Sequence, residues 1–413
     1  MIKKLKPKSE FTRNVLTLMT GTTIAQAIPI AISPILTRLY TPEDFGVFAL
    51  FVSIVSILGS VAAGRYELAI MLPKKDEDAI NIVALGIIIT SIFSLIIFLV
   101  ILFFHSQIVS LLNNKEISLW LYFIPLVVFL TGLYNILNYW NNRKKYYKDL
   151  AKATVLKSIA GSITQLILGF LKVGATGLIS GQIVSQIFAN GKLIRNLLKE
   201  KVLLKSMRKV KIILMSKKYK KFFLITTFHT LLGNISNNLP VLLLSKLSYV
   251  IGQYSLSMRI LSVFTLFSNS YNQVFFEKFC KTNNKYIFFK KNLLKFVLLT
   301  IPFVIISYFI FPYVFKFVFG SKWVEAGEYS KIFVFLIYFQ ILSNIFASSV
   351  YNYYQYQFEN LIIETVYLLN IILSFLLSFN SYKNFFIYMS FFGSFIMLIK
   401  IYRSFRIVYE KIY

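Results

Sequence analysis

The sequence predicts an all-α integral membrane protein. It places twelve transmembrane helices in two parallel six-helix lobes around a central cavity, with both termini cytoplasmic. Three observations carry this reading. Apolar runs of 18 or more residues recur along a chain that is 57% apolar and only 15% charged, with a mean hydropathy of +0.68; each such run is long enough to cross a bilayer. Lys and Arg alternate between crowded and sparse connecting segments. A weak internal repeat relates the two halves.

Taken in order, the expected spans are 15–37, 46–70, 80–104, 117–140, 153–171, 173–194, 222–245, 251–276, 293–319, 330–353, 361–380 and 384–403. Helices are expected throughout, because a helix satisfies its backbone groups within one segment. Lys3, Lys4, Lys6, Lys8 and Arg13 precede the first run, and Ala25-Gln26-Ala27 has the small-x-small form of a cleavage site. Cleavage there would leave a stub too short to span, so an uncleaved first span is expected.

With both ends inside, the inner segments hold 35 Lys and Arg residues and the outer ones 8, while Lys157 and Arg259 fall within spans. That asymmetry orients the chain. It also explains most of the formal +29 charge without nucleic acid. The 354–360 segment carries no positive charge and takes its side from its neighbours. The longest loop, 195–221, is crowded with Lys and Arg and suits the anionic inner leaflet. It divides the chain into a lobe at 1–194, a linker at 195–221 and a lobe at 222–413. Tyr351-Asn352-Tyr353-Tyr354-Gln355-Tyr356 suits an interfacial aromatic belt.

A shift of 206 residues lays SPILTRLYTPEDFGVFAL on LPVLLLSKLSYVIGQYSL. Pro34 then matches Pro240 and Gly46 matches Gly252, with Leu36/Leu242, Leu50/Leu256, Ile54/Ile260 and Ser56/Ser262. An even number of spans per half makes the halves parallel, the arrangement of a transporter that opens alternately to each side.

Thr41-Pro42-Glu43-Asp44 is a helix start. Thr41 suits the N-cap, Pro42 the first turn, and the two acids the positive helix end. The helix it begins is expected to run from about Phe45 to Leu72, with Arg65 and Glu67 near its inner end. In the eighth span Ser255, Arg259, Ser262, Thr265, Asn269 and Asn272 repeat at helical spacing and share one face. A mid-span Arg costs about 2.5–3.5 kcal/mol, which calls for a wet cavity or an anionic partner. The competing reading is a structural salt bridge. Arg65 is read either as a phosphate contact or as a charge paired with Glu67. Lys157 reaches the cavity or snorkels to the interface, and Arg38 ends the first span on the outer side as a topological or gate residue. Thr226, Thr230, Gly233 and Asn237 line one side of the seventh span, with His229, Asn234 and Asn238 close by. Thr17, Thr20, Thr23 and Gln26 do so in the first. Such groups contact a polar cargo or join helices.

Leu39-Tyr40-Thr41-Pro42-Glu43-Asp44-Phe45-Gly46 and Gly64-Arg65-Tyr66-Glu67-Leu68-Ala69-Ile70 resemble the first hairpin of the oligosaccharide-lipid flippases. These are the Wzx-type polysaccharide-transport family of the MOP exporter superfamily. Tyr254-Ser255-Leu256-Ser257-Met258-Arg259 resembles that family's eighth helix, whose Arg faces the central cavity. The resemblance implies a bacterial inner-membrane flippase for undecaprenyl-pyrophosphate-linked oligosaccharide repeat units, precursors of O-antigen or capsule. Substrate would meet Arg259, Arg65, Lys157, Ser255, Ser262, Asn269 and Asn237. A coupling cation, Na+ or H+, would involve Glu364 or His229. Membrane lipids and a glycan polymerase complex would be its partners.

Enzyme chemistry has little to stand on. The sequence has no Walker A loop, no nucleophile elbow and no paired intramembrane carboxylates, and two His with the single Cys280 make no metal cluster. No cofactor is expected. One alternative is a multidrug-type exporter of the same superfamily, although that cargo would favour intramembrane carboxylates. Another is a membrane glycan polymerase or ligase, which would need a larger outer loop.

Overall fold

The computed structural model describes residues 10–379 and 381–411. Lys3, Lys4, Lys6 and Lys8 lie outside the described residues, as do the side chains of Arg13 and Asn269. No strand occurs among the described residues.

The first helices are α1 (Glu10–Leu39), α2 (Pro42–Gly59) and a short α3 (Tyr66–Ala69). Next come α4 (Asp76–Leu112), α5 (Ser118–Leu121), α6 (Ile124–Arg143), α7 (Tyr147–Phe170) and α8 (Ala175–Lys199). The basic linker forms α9 (Lys201–Lys205) and α10 (Lys209–Lys218). A π-helical turn, Phe222–Thr226, leads into α11 (Thr227–Leu243), followed by α12 (Ser248–Lys281) and α13 (Lys285–Phe319). After a 3-10 turn come α14 (Val324–Leu342), a π-helical turn at Ser343–Ala347, α15 (Ser348–Tyr354), α16 (Gln357–Leu377) and α17 (Tyr382–Glu410).

Nine helical segments among the described residues are long and apolar enough to cross a membrane. The other three expected positions are filled by α8, α11 and α12. These are helices too, and α11 and α12 carry polar stripes. Outward-facing residues such as Phe103, Phe303 and Phe317 are well over half exposed. An apolar surface of that extent needs lipid rather than water.

The chain divides into two compact units, Met1–Asn234 and Ile235–Tyr413, with the division inside α11. In the first unit α4 packs on α6, α6 on α8, α7 on α8, and α2 on α6. The second repeats these pairs with α13 on α14, α14 on α17, α16 on α17, and α12 on α14. Pro42 opens α2 and Ser248 opens α12, 206 residues later, the shift found in the sequence.

A second correspondence runs at a shift of 210. Lys145 and Gln355 both have positive φ, 59° and 62°. The amides of Tyr146 and Tyr356 reach back five residues to the carbonyls of Asn141 (2.9 Å) and Tyr351 (3.0 Å). This is the left-handed closure typical of a helix end. Four residues past each left-handed position stands an acid. Asp149 pairs with Lys192 at 2.9 Å, and Glu359 with Arg403 at 3.0 Å. Each pair ties the two helices that follow its turn.

One expectation needs correction. The helix after Thr41 does not run to Leu72. It ends at Gly59, the chain turns through 60–65, and Gly64 and Arg65 both take left-handed φ (57° and 58°). A Cβ at Gly64 would come within 2.8 Å of the Phe223 ring, so a residue with no side chain fits there. The linker, in turn, is docked on the first unit. Asn81 donates to the Ser206 carbonyl and accepts from the Arg208 amide at 2.9 Å. Lys211 pairs with Glu77 at 3.2 Å, Tyr66 donates to the Ser216 carbonyl at 3.0 Å, and Met215 enters the core beside Trp140. Val202, Val210, Ile213 and Leu214 remain exposed.

Candidate functional site

The TPED turn folds as its residues dictate. The Asp44 amide donates to Thr41 Oγ1 at 3.3 Å and the Thr41 amide donates to the Asp44 carboxylate at 2.9 Å, a reciprocal capping box with Pro42 in the first turn. Tyr40, one residue earlier, is buried and donates from its hydroxyl to the Gln165 carbonyl at 2.6 Å. A Cβ at Gly177 would collide with that hydroxyl, so the small residue is what lets Tyr40 seat against α7 and α8. The hairpin motif therefore anchors helices and makes no site by itself.

Arg259 is the twelfth residue of α12, about 16 Å from its start at 1.5 Å per residue. Were α12 to enter the bilayer at its first residue, that distance would reach the middle of a hydrocarbon core about 30 Å thick. Ser255, Arg259 and Thr265 are half-buried and Ser262 is exposed, while Gln253, Leu256, Ser257 and Leu261 are buried behind them. The helix thus has a packed face and an open polar face. On the open face Ser255 donates to the Gly252 carbonyl, Ser262 to that of Arg259 and Thr265 to that of Ser262, at 2.9, 2.6 and 2.6 Å. Each hydroxyl spends its proton on its own helix and keeps its oxygen as an acceptor.

The packed face holds polar residues that the sequence analysis passed over. Gln253 donates to the Lys322 carbonyl at 2.6 Å and accepts from the Ala326 amide at 3.0 Å, and Ser330 donates to Ser257 at 2.9 Å. These join α12 to α14, as polar residues do between membrane helices. Their i, i+4 spacing on α12 was the available signal.

Arg65 sits at the break after α2. Its guanidinium pairs with Glu67 at 3.0 Å, and Glu67 is only 2% exposed. Arg65 Nε and Glu67 Oε2 are buried with no hydrogen-bond partner, so the pair is incompletely satisfied. Lys157 lies ten residues into α7, deeper than expected because that helix starts at Tyr147 rather than 153. Its ammonium stands 4.5 Å from the centre of the Tyr134 ring, a cation–π contact.

Asn237 and His229 are exposed on α11. Glu364 is half-buried in α16, the eighth residue in, and accepts from Asn360 at 2.9 Å. Arg65, Lys157 and Arg259 stand on three separate elements. Among the described residues no cluster of three or more His, Cys, Asp or Glu could hold a metal. Tyr351, expected in an interfacial belt, is instead buried, and the Lys400 ammonium lies 5.9 Å from its ring.

Charged groups at the turn between α6 and α7 form a further cluster. Asp76 accepts from Arg143 at 2.8 Å and Lys144 at 2.7 Å, and Arg143 also donates to the Ile70 carbonyl at 3.0 Å. Burial alone would lower the Lys144 pKa. The hydrogen bond and charge of Asp76, joined by Glu200, outweigh it and hold the ammonium above its ordinary value.

A family described as "Polysaccharide biosynthesis protein" matches residues 35–328. No curated protein matches the sequence. Among solved structures, the lipid II flippase MurJ in an inward closed conformation is similar with a TM-score of 0.73. It is 15% identical, over 94% of this chain and 87% of that one. A multidrug resistance MATE family transporter of the MOP superfamily, inward-facing, gives a TM-score of 0.67 at 12% identity over 94% of both chains. A single-residue mutant of the Vibrio cholerae MATE transporter VcmN gives 0.56 at 10% identity, over 96% of this chain and 95% of that one. At these identities the likeness establishes a shared multi-pass membrane transporter fold.

Proposed function

Because this chain belongs to the polysaccharide biosynthesis protein family, we propose that it is a flippase. Its cargo is undecaprenyl-pyrophosphate-linked oligosaccharide repeat units, moved across the bacterial cytoplasmic membrane by alternating access. The observation that carries this reading is Arg259, twelve residues into α12, on an open polar face of that helix.

A pyrophosphate headgroup carries concentrated negative charge, and a guanidinium meets it with two-pronged, charge-assisted hydrogen bonds. The acceptor oxygens of Ser255 and Ser262, on the same face, suit sugar hydroxyls, and Asn237 offers both donor and acceptor. Arg65 and Lys157 add positive charge, and Asn269 extends the stripe. Glu364 or His229 would serve a coupling cation. The lobes at 1–194 and 222–413 would open alternately to the two sides of the membrane. A glycan polymerase would use the product. A multidrug exporter of organic cations would favour intramembrane carboxylates, where this chain offers Arg259.

Arg259→Ala is expected to abolish surface-glycan display at unchanged protein level, and Arg259→Lys to keep part of it. Normal display in Arg259→Ala would remove this residue from the mechanism.

A further inference from the structure

The second unit carries a half-open groove of about 970 Å³ whose walls come from α13, α14 and α17. Its lining is mainly apolar and rich in rings, with Tyr308, Phe309, Phe335, Phe339, Phe391 and Phe395. The two serines in it are turned away: Ser390 donates to the Ile332 carbonyl and Ser394 to that of Ser390, both at 2.7 Å. Apart from Glu328 and Lys331, what remains facing the groove is hydrocarbon and ring surface.

The groove has a direction. On α14 it runs from Glu328 to Phe339 and on α17 from Ile387 to Leu398, each about 16 Å at the helical rise. The two helices lie in register, since Tyr329 packs on Phe386 with ring centres 4.9 Å apart and Ser390 bonds Ile332. A length of 16 Å is about half of a 30 Å hydrocarbon core, the depth of one leaflet. Both charged residues of the lining, Glu328 and Lys331, stand at the end nearest the α13–α14 turn, toward the membrane surface.

Those two charges are one helical turn apart yet do not pair with each other among the described residues. Lys331 Nζ lies 4.9 Å from the Tyr308 ring centre instead, and Glu328 is exposed. The mouth therefore presents a separated ammonium and carboxylate above a leaflet-deep apolar trough. A phosphate answers the first and a primary ammonium the second, and a zwitterionic ethanolamine headgroup carries both a few bonds apart. A quaternary ammonium has no N–H for Glu328, and a purely anionic headgroup meets its repulsion.

We propose that this groove is a binding site for one phosphatidylethanolamine-type phospholipid. An acyl chain lies along the aromatic wall, the phosphate meets Lys331, and the ammonium meets Glu328. The site does not depend on the flippase reading, and its test reads lipid binding alone.

The test is native mass spectrometry of the full-length protein from detergent, titrated separately with palmitoyl-oleoyl phosphatidylethanolamine, -choline and -glycerol. The first is expected to occupy one site about fivefold more tightly than the others, the scale of one partly exposed charge-assisted contact. Glu328→Gln and Lys331→Gln, both at the rim, should each erase that preference without changing the elution of the folded protein. Ser394→Trp should fill the trough and remove the bound lipid. Equal binding of all three lipids would overturn the proposal, as would preference for the glycerol lipid or an unchanged preference in both rim variants. Displacement of the ethanolamine lipid by lower concentrations of undecaprenyl phosphate would also overturn it, by making the groove a prenyl-chain site.

Discussion

Replacing Arg65 alone should destabilise the protein more than replacing Arg65 and Glu67 together. Glu67 is 2% exposed, and Arg65, at 23%, supplies the charge opposite it. Arg65→Ala would leave a carboxylate inside the protein with one oxygen already lacking a hydrogen bond. Breaking a fully buried pair costs about 3–5 kcal/mol; the exposure of Arg65 reduces this to about 2–3 kcal/mol. For a unit the size of Met1–Asn234, about 2–4 °C per kcal/mol gives a fall in Tm of roughly 5–10 °C. Arg65→Met with Glu67→Gln removes both charges and keeps the volume, so its Tm should stay within about 3 °C of the parent. The left-handed φ at Arg65 does not distort the comparison, because alanine and methionine carry the same Cβ. The assay is thermal unfolding in detergent followed by size-exclusion fluorescence, with surface-glycan display measured alongside. Equal losses in the single and double variants would refute the buried-pair reasoning. A double variant that is stable but displays no glycan assigns Arg65 to the cargo; one that is stable and active assigns it to structure.

Asn81→Ala should loosen the linker. It leaves the Ser206 carbonyl and the Arg208 amide without their partner, a cost of about 2 kcal/mol, and limited trypsin digestion between 199 and 221 should quicken. An unchanged cleavage rate would show that the linker is held by other contacts. Tyr40→Phe removes the bond to the Gln165 carbonyl. At about 1–2 kcal/mol for a buried hydrogen bond, Tm should drop by roughly 2–8 °C. An unchanged Tm would mean that the ring alone anchors α1.

The reading of single elements from sequence worked where the cause is local. Thr41, Pro42 and Asp44 start α2 because a capping box needs only four neighbouring residues. The polar stripe of α12 was visible because 3.6-residue periodicity lies within one segment. The end of α2 was not. The run from Val61 to Ile70 is apolar enough to continue the helix, and the turn at 60–65 is held by contacts from residues far along the chain, Phe223 beside Gly64 and Ser216 on Tyr66. The docking of the linker was not visible for the same reason. Its lysines are surface charge, as read, but its anchors are Asn81 and Glu77, more than a hundred residues earlier.

Sequence alone therefore settled the class of molecule. Apolar runs that match a bilayer's thickness leave an all-helical membrane protein as the outcome, since lipid offers a backbone no other partner. Tertiary structure decided which charges on different helices meet. It paired Asp149 with Lys192 and Glu359 with Arg403, and set Lys157 over Tyr134. A charge can be located by periodicity, but its partner comes from another helix, and which helices become neighbours is set by packing that no single segment contains.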